Sequence, residues 1–464
     1  MSDVRVLAFE DRMYTRSQVD ALSAGLAGAL ADRGVRAGQR VALMSSTRPE
    51  FIFAVHAIWQ LGASAVLISP AWKSTDVGHA LEVSRADHAV GDNPVLADLM
   101  PMLSLDEPVD PAEPTAVQPP PESDAVLVFS SGTTGMPKAV RHTHGSLAVS
   151  IRHWRHALGL TAVDRMQIAT PPSHILGLLN IATVLDTGAW MRLHRRFDID
   201  AMLQHIQDDR ITVEMAVAPI ALAIASHPKL ESFDLSSLRY IMWCATPVTI
   251  SVAEAVTQRT GVGWISAYGT SEVPVIACCP RDAARLDTVG RPIPAVRIVS
   301  TETGEPVEPG AVGEIEVRSD SAMAGYLPAD ATAEAFDDGW YRTGDIGYLD
   351  DGWLRITDRL KEMVKVRGFQ VAPAEVESVL HGHPAVRDCA VFGVPDEADG
   401  EAVVAAVAVD EPVSADELGV LIAQKLASYK RPRDIVFVPE IPRLPSGKAL
   451  RRILKEQYGR TSDQ

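Results

Sequence analysis

The stretch from residue 129 to residue 138 concentrates groups that bind phosphate. It reads Phe-Ser-Ser-Gly-Thr-Thr-Gly-Met-Pro-Lys. Glycine adopts positive φ readily, which lets successive backbone N–H groups converge on an anion, and hydroxyl and ammonium groups add further donors. The apolar run at 125–129 is typical of a strand, so the pattern predicts a phosphate loop at a strand end. The candidate phosphate-binding residues are Ser130, Ser131, Gly132, Thr133, Thr134, Gly135 and Lys138.

Two other interpretations of this stretch compete with that one. A surface loop rich in Ser, Thr and Gly has a similar composition. A Walker-type loop also binds phosphate, but it requires Gly-Lys-Ser/Thr after its first glycine. The chain has Pro137, Lys138 and Ala139 there instead, which disfavours P-loop chemistry.

A second stretch, 266–272, combines an aromatic ring, hydroxyls and a carboxylate in the order Ser-Ala-Tyr-Gly-Thr-Ser-Glu. Tyr268 can stack on a purine, and Ser271 can hydrogen-bond a phosphate. Glu272 can hold Mg²⁺, an ion that favours carboxylate oxygen together with substrate phosphate. The alternative is a turn at the end of a strand with a solvated glutamate. We interpret Glu272 as a metal ligand and the residues before it as nucleotide contacts, namely Ala267, Tyr268, Gly269, Thr270 and Ser271.

The last third of the chain adds a carboxylate and a series of cations. Asp345 ends the stretch Tyr-Arg-Thr-Gly-Asp, and Lys448 follows a Ser-Gly pair on a loop. Between them, four cations precede Gly368 at spacings that no amphipathic helix requires, namely Arg359, Lys361, Lys365 and Arg367. The alternatives are an ordinary turn, a surface lysine and a solvated basic face.

The composition restricts the class of protein. With 464 residues, 47% of them hydrophobic, the chain is too long for one core and should form two or more globular units. A formal charge of −17 argues against a nucleic-acid binder or a protein of anionic membranes.

The cysteines and the hydropathy favour a cytoplasmic protein. The four cysteines lack CxxC spacing and form no disulfide framework, as expected in a reducing compartment. The N-terminus lacks the apolar core of a signal peptide, and no apolar run reaches the length of about 18 residues that a membrane span needs.

Helices and strands alternate in the first part of the chain. A capping box at 15–18 starts a helix that Gly34 closes, and a strand at 40–44, a helix at 50–61 and a strand at 65–68 follow. A helix should start near Gly145, behind the phosphate loop, while residues 92–123 suggest an exposed connection. This alternation predicts an α/β fold with parallel sheets covered by helices.

The pattern changes near residue 287. Short alternating strands follow, and Asp-Asp-Gly-Trp occurs at 337–340 and again at 350–353, where Asp-Gly between apolar residues indicates hairpin turns. We therefore predict a β-barrel-like antiparallel subdomain at about 287–357, within an N-terminal domain of residues 1–357. A small α+β domain should occupy 358–464.

These motifs, in this order, resemble those of the adenylate-forming superfamily, which contains acyl- and aryl-CoA synthetases, luciferases and adenylation domains. The run Lys-Val-Arg-Gly-Phe-Gln-Val-Ala-Pro-Ala-Glu at 365–375 is most similar to 4-coumarate–CoA ligase-type enzymes. The resemblance implies a carboxylic acid as substrate, ATP and Mg²⁺ as cofactors, and CoA as cosubstrate. By this resemblance, the first subdomain is shorter than is usual in the family.

The resemblance also implies roles for individual residues. Asp345 accepts hydrogen bonds from the ribose hydroxyls, and Arg359 contacts ribose and phosphate. Lys448 reaches the substrate carboxylate and the α-phosphate. His174, in the stretch Pro-Pro-Ser-His-Ile-Leu-Gly, matches a histidine motif between the ATP and acyl sites.

A mobile C-terminal domain follows from the same resemblance. The hinge is Lys361, about which the small domain rotates between two half-reactions. Lys365 then serves the second half-reaction, and Arg367 and Gly368 border the pantetheine tunnel.

The chain departs from the family around the acyl pocket. Relatives usually carry Ser-Gly-Ala-Ala-Pro where this chain has Trp-Cys-Ala-Thr-Pro at 243–247, and a common Gln-Gly is replaced by Ser266 and Ala267. Larger side chains should shrink or reshape a cavity, which favours an aryl or short acid over a long fatty acid.

Other functions remain alternatives. The acceptor of the acyl group can be a carrier-protein thiol, an amine, or nitrite in a diazotase-like enzyme instead of CoA. A non-enzymatic adenylate-binding regulator is a third class, which the presence of Lys448, Glu272 and Asp345 disfavours. The sequence does not predict the oligomeric state.

Overall fold

The computed structural model describes residues 4–114, 119–130, 137–246, 248–360, 362–366, 369–396, 400–443 and 449–458. These residues form an α/β fold with two large mixed sheets, an antiparallel sheet and a separate C-terminal sheet. The predicted fold class is thus confirmed. The boundary between the domains 1–357 and 358–464 stays a prediction.

The strands are β1 Arg5–Phe9, β2 Arg12–Thr15, β3 Arg40–Met44, β4 Ser64–Leu67, β5 His88–Gly91, β6 Met102–Ser104, β7 Asp124–Ser130, β8 Lys138–Thr143, β9 Arg165–Ile168, β10 Trp190–Leu193, β11 Val213–Ala216, β12 Tyr240–Trp243, β13 Trp264–Tyr268, β14 Ala277–Cys278, β15 Arg291–Pro292, β16 Ala295–Val299, β17 Gly313–Arg318, β18 Gly325–Leu327, β19 Phe336–Asp337, β20 Trp340–Asp350, β21 Trp353–Arg359, β22 Val364–Val366, β23 Phe369–Val371, β24 Val386–Asp396, β25 Gly400–Val409 and β26 Asp434–Phe437.

The helices are α1 Arg16–Asp32, α2 Pro49–Gln60, α3 Ser74–Ser84, α4 Pro94–Leu99, α5 His144–Leu158, α6 Ile175–Thr187, α7 Ile199–Asp209, α8 Ala218–Ser226, α9 Ile250–Thr260, α10 Asp330–Ala333, α11 Pro373–His381, α12 Ala415–Lys425 and α13 Arg451–Tyr458. Short 3₁₀ helices occur at Leu230–Ser232 and Ser428–Lys430.

The two large sheets share one hydrophobic core. The seven-stranded sheet has the order β18-β8-β7-β4-β3-β5-β6 and the nine-stranded sheet the order β15-β14-β13-β12-β11-β9-β10-β1-β2. Buried residues of α1, α2, α5 and α6 fill the core between them. Helices α3 and α4 cover the outer face of the first sheet, and α7, α8 and α9 that of the second. This layering follows from parallel strands that need cover on both faces.

The predicted antiparallel sheet has the order β16-β17-β20-β19, with β21 paired to β20. Both Asp-Asp-Gly-Trp repeats form the hairpin turns that we predicted, because Asp338 and Asp351 adopt φ of 44° and 48° there. The exposed connection predicted for 92–123 is wrong in part, since α4 and β6 lie within it.

The C-terminal sheet, β22 to β26, carries hydrophobic cores of its own on its two faces. Over the ranges described above, we find no helix with the length and hydropathy of a membrane span.

Candidate active site

The predicted phosphate loop connects two antiparallel strands. β7 ends at Ser130 and β8 begins at Lys138, and these two residues face each other in the register of the hairpin. The residues between them that we predicted to bind phosphate, Ser131, Gly132, Thr133, Thr134 and Gly135, lie outside the described residues. Their role stays a prediction.

The segment after β13 forms a closed turn that Gly269 makes possible. A Cβ atom at this position would lie 2.1 Å from the carbonyl oxygen of Pro274, so only glycine fits. The Val273 N–H donates to Thr270 Oγ1 at 3.0 Å, and the Thr270 N–H donates to the Val273 carbonyl at 2.9 Å. This turn directs Ser271 and Glu272 back toward the phosphate hairpin.

His142 of β8 fixes that turn to the hairpin. Its Nε2 donates to the carbonyl oxygen of Ser271 at 2.7 Å. Burial lowers the pKa of His142, although this hydrogen bond and the charge of Glu272 act in the opposite direction. The neutral ring therefore joins two of the predicted motifs. We did not predict this contact, because a histidine within a strand gives no signal of a partner 129 residues away.

Glu272 is only 7% exposed, and one of its oxygens already has a donor. The Tyr326 hydroxyl donates to Oε1 at 2.8 Å. Tyr326 pairs with β8, so this buried carboxylate lies near the described strands of the phosphate hairpin, and carboxylate oxygens are the hard ligands that Mg²⁺ prefers. Tyr326 is a second residue of the site that we did not predict from the sequence.

Asp345 gathers residues from three of the predicted motifs. It is 3% exposed and lies opposite Arg359 in the register of β20 and β21. Arg359 Nε lies 3.0 Å from Oδ1, and the Tyr268 hydroxyl donates to Oδ2 at 2.5 Å. Burial and the Asp345 charge raise the pKa of Tyr268 well above its usual value. Burial acts against the charge of Arg359, but Asp345 keeps the pKa of Arg359 raised.

His174 caps a helix. Its Nδ1 accepts a hydrogen bond from the Leu176 N–H at 3.4 Å, at the start of α6. Burial lowers the pKa of His174, so the ring is neutral at neutral pH. The contact of His174 with the acid substrate stays a prediction.

The residues that we expected to reshape the acyl pocket lie in separate parts of the fold. Trp243 is 1% exposed and lies in the core under α8 and α9, where its ring centroid is 5.4 Å from that of Trp264. The expectation that Trp243 narrows a cavity is therefore wrong. Ser266 donates to the carbonyl of Thr288 at 2.8 Å. Cys244, in place of the relatives' glycine, is buried in the core between the large sheets and remains the candidate for reshaping a cavity.

The predicted hinge region is described in part. Lys361, Arg367 and Gly368 lie outside the described residues. Lys365 is exposed on β22, and its N–H donates to Glu401 Oε2 at 2.7 Å. Asp358, which we did not assign to the site, accepts a hydrogen bond at 2.9 Å from the N–H of Ala374 in the first turn of α11. Burial raises the pKa of Asp358 to about 6.

Lys448 also lies outside the described residues, but both ends of its loop are described. Arg443 and Ala449 form an antiparallel bridge across the loop. Arg443 binds Asp388 through two hydrogen bonds of 2.9 and 2.6 Å. Arg451, just after the loop, pairs with Glu377 at 2.7 Å. Arg443 thus contacts β24 of the C-terminal sheet, and Arg451 contacts α11 beside it.

Comparison with known proteins gives two family matches. The family described as AMP-binding enzyme matches residues 1–327, and the family described as AMP-binding enzyme C-terminal domain matches residues 375–448. A 4-coumarate–CoA ligase of Vanilla planifolia is 33% identical, over 96% of this chain and 88% of its own length.

Two solved structures are similar over almost the whole chain. The o-succinylbenzoate–CoA synthetase of Bacillus subtilis, in complex with its acyl-adenylate intermediate, has a TM-score of 0.88 and 31% identity, and covers 97% of this chain and 95% of its own. An amide bond synthetase of Marinactinospora thermotolerans has a TM-score of 0.90 and 30% identity, and covers 98% and 97%.

Proposed function

The chain belongs to the family of AMP-binding enzymes, and we propose that it converts a carboxylic acid and ATP to an acyl-adenylate and pyrophosphate, then transfers the acyl group to CoA as a thioester. The observation that carries this proposal is the cluster of Tyr268, Asp345 and Arg359. Three separate motifs supply it, and the turn that bears Glu272 follows Tyr268 directly.

The two steps follow from the chemistry of the acid. A carboxylate is a poor acyl donor, because its leaving group would be an oxide or hydroxide. Attack of its oxygen on the α-phosphorus of ATP forms a P–O bond and releases pyrophosphate. AMP is then the leaving group when a thiolate attacks the acyl carbon.

The described residues are suited to hold the nucleotide. The Asp345 carboxylate is buried and held by Tyr268 and Arg359, and a carboxylate is an acceptor suited to the ribose hydroxyls. It accepts the ribose hydroxyls, while the ring of Tyr268 packs on the adenine. Ser130, Lys138 and the loop between them hold the β- and γ-phosphates, and Lys448 stabilises the charge that grows on the α-phosphate.

Glu272 is the residue that holds Mg²⁺ in this proposal. When bound, the ion neutralises phosphate charge and aligns the reacting group. The carboxylate of Glu272 is buried and fixed at one oxygen by Tyr326, so it is held in one orientation beside the phosphate hairpin.

The second step uses the other face of the small domain. We propose that residues 358–464 rotate about Lys361, which withdraws Lys448 and brings in Lys365 and Gly368. Arg367 borders the path of the pantetheine arm. His174 lies at the start of α6, where it contacts the acid or closes the path to it.

We propose an aryl or short-chain acid as substrate. The similar 4-coumarate–CoA ligase and o-succinylbenzoate–CoA synthetase are named for aromatic acids. Cys244 follows β12 at a position where the family resemblance implies glycine, and its larger side chain would narrow a cavity there. Four buried, free cysteines fit a reducing cytoplasm as the location.

A panel of acids tests the proposal. Cinnamic and benzoic acids, short fatty acids and long fatty acids are each mixed with the enzyme, ATP, Mg²⁺ and CoA. Pyrophosphate release is measured, and the product is identified by mass spectrometry. We expect aryl or short acids to give CoA thioesters. Higher activity with long fatty acids would contradict the acid class, and absence of any CoA thioester would contradict the acceptor.

An amine acceptor is the second candidate, because the amide bond synthetase is 30% identical over 98% of this chain. The same reactions with simple amines in place of CoA separate the two. Amide formed faster than thioester at equal acceptor concentration favours this candidate. A carrier-protein thiol or nitrite in place of CoA is tested in the same way.

A further inference from the structure

The segment from Met323 to Leu327 joins two parts of the site that are far apart in the sequence. β18 pairs with β8 of the phosphate hairpin, where Tyr326 faces Val140. The Ala324 N–H donates to the Arg141 carbonyl at 2.8 Å, and the Met323 N–H donates to the Glu272 carbonyl at 2.7 Å. The segment is thus fixed both to the hairpin and to the turn of Glu272.

Tyr326 contacts functional groups on both sides of this segment. Its hydroxyl donates to Glu272 Oε1 at 2.8 Å. Its ring lies against the ammonium group of Lys138, at 5.4 Å from nitrogen to ring centroid, which is within the range of a cation–π contact. One side chain therefore contacts the predicted metal ligand and the predicted phosphate lysine.

The backbone holds Tyr326 in place. Gly325 adopts a φ of +135°, which residues with a side chain rarely adopt. The Tyr326 N–H donates to Thr332 Oγ1 at 2.9 Å.

We propose that Tyr326 is a positioning residue, which holds the Glu272 carboxylate by Oε1 in an orientation that would leave Oε2 to serve as a ligand of Mg²⁺. This inference rests on the proposed function, because it takes Glu272 as the metal ligand. Carboxylates that bind metals are themselves hydrogen-bonded, and the loss of such a partner typically weakens metal affinity about 10- to 100-fold.

The test compares three variants in equilibrium binding of an ATP analogue with a methylene bridge between the α- and β-phosphorus. Binding is titrated calorimetrically with and without Mg²⁺, so the readout does not depend on turnover. Tyr326→Phe removes the hydroxyl and keeps the ring beside Lys138. Glu272→Gln removes the carboxylate charge.

Tyr240→Phe is the matched control. It removes another buried tyrosine hydroxyl, which donates to the Leu158 carbonyl at 2.5 Å, away from Glu272. It separates the effect of a lost hydroxyl in the site from a general loss of stability.

We expect Tyr326→Phe to bind the analogue normally without Mg²⁺ but to lose about 10-fold of the affinity gained when Mg²⁺ is added. Tyr240→Phe should keep the full gain. If Tyr326→Phe keeps the gain while Glu272→Gln loses it, the positioning role is wrong and the metal assignment stands. If Glu272→Gln keeps the gain too, the metal assignment is wrong and this inference is overturned with it.

Discussion

At the scale of residues, the Asp345 carboxylate is organised before a nucleotide binds. Tyr268 donates to one oxygen and Arg359 lies against the other. Donors that are already in place hold the carboxylate in one orientation toward the ribose. A hydrogen bond to a charged group contributes about 1.5–3 kcal/mol. The Tyr268 hydroxyl should therefore matter for binding even though it need not touch the ribose.

Replacement of Tyr268 by Phe tests this. The ring remains available to the adenine, while Asp345 loses one donor. We expect the affinity for AMP to fall about 10-fold, which corresponds to about 1.4 kcal/mol. Affinity is measured by calorimetry with AMP and with 2′,3′-dideoxy-AMP, which lacks the ribose hydroxyls.

The dideoxy nucleotide is the control that shows whether the Tyr268 hydroxyl acts through Asp345 and the ribose hydroxyls. If the hydroxyl acts through Asp345, the penalty appears with AMP and is absent with the dideoxy analogue. An equal penalty with both nucleotides would show that Tyr268 acts on the adenine instead.

The types of these residues could be predicted from the sequence, but their partners could not. Tyr268 and Asp345 are 77 residues apart and lie on strands of different sheets. Tyr326 and Glu272 are 54 residues apart. Such contacts depend on how the sheets pack, which local patterns do not encode.

At the scale of elements, patterns with a local cause were predicted well. The capping box at Thr15 and Gln18 starts α1, because each side chain bonds the other's backbone. The short helix α4 was missed, although Pro94 begins it and Asn93 caps it through the Val95 N–H at 3.0 Å. Six residues are too few to show a period within a segment rich in Pro and Asp.

The junction between β21 and α11 is an element-scale feature that the sequence did not reveal. The Asp358 carboxylate on β21 accepts from the N–H of Ala374 at the start of α11. The residue is 6% exposed, and burial raises its pKa from 3.8 to about 6. The carboxylate thus links the last strand of the antiparallel sheet to the first helix after it.

This raised pKa predicts how the free energy of unfolding changes with pH. Between about pH 4 and pH 6 the folded chain binds a proton at Asp358 that the unfolded chain does not, so the contribution of this group to stability falls as pH rises. Asp358→Asn has no such proton. We expect the free energy of unfolding of the wild type, relative to Asp358→Asn, to fall by about 2 kcal/mol from about pH 4.5 to about pH 7.

Urea unfolding at the two pH values measures this difference. The exposed Asp410→Asn variant, whose carboxylate pairs with Arg387 at the surface, serves as a control and should show little change. If the free energies of unfolding of the wild type and of Asp358→Asn differ by the same amount at both pH values, the raised pKa of Asp358 is contradicted.

At the scale of the whole molecule, the proposed function requires residues from distant parts of the sequence to serve one reaction. Ser130 and Lys138 lie on one large sheet, Tyr268 lies on the other, and Asp345 and Arg359 lie on the antiparallel sheet. Lys365 lies on β22 of the C-terminal sheet, and Arg443 bonds to Asp388 on β24 of that sheet. The C-terminal sheet has its own cores, which suits a unit that moves as a body. The motifs could be identified from the sequence, but the way in which the sheets that carry them pack together could not.

If the small domain alternates between the adenylation and thioester steps, substitutions of Lys448 and Lys365 should impair different steps. Lys448→Ala should lower pyrophosphate release about 100-fold or more, because it removes a charge that acts on the transition state of adenylation. It should spare thioester formation from a supplied acyl-adenylate. Lys365→Ala should impair the thioester step and spare pyrophosphate release.

The control for these variants is Lys455→Ala, which removes an exposed lysine of α13 in the same C-terminal region. It should leave both half-reactions unchanged, so that a loss of positive charge is separated from a loss of position. Each half-reaction is followed alone, by pyrophosphate release without CoA and by CoA thioester formation from the synthetic acyl-adenylate. If the small domain alternates as proposed, each lysine serves one step and each variant loses mainly that step. Equal loss of both steps in both variants would contradict the alternation.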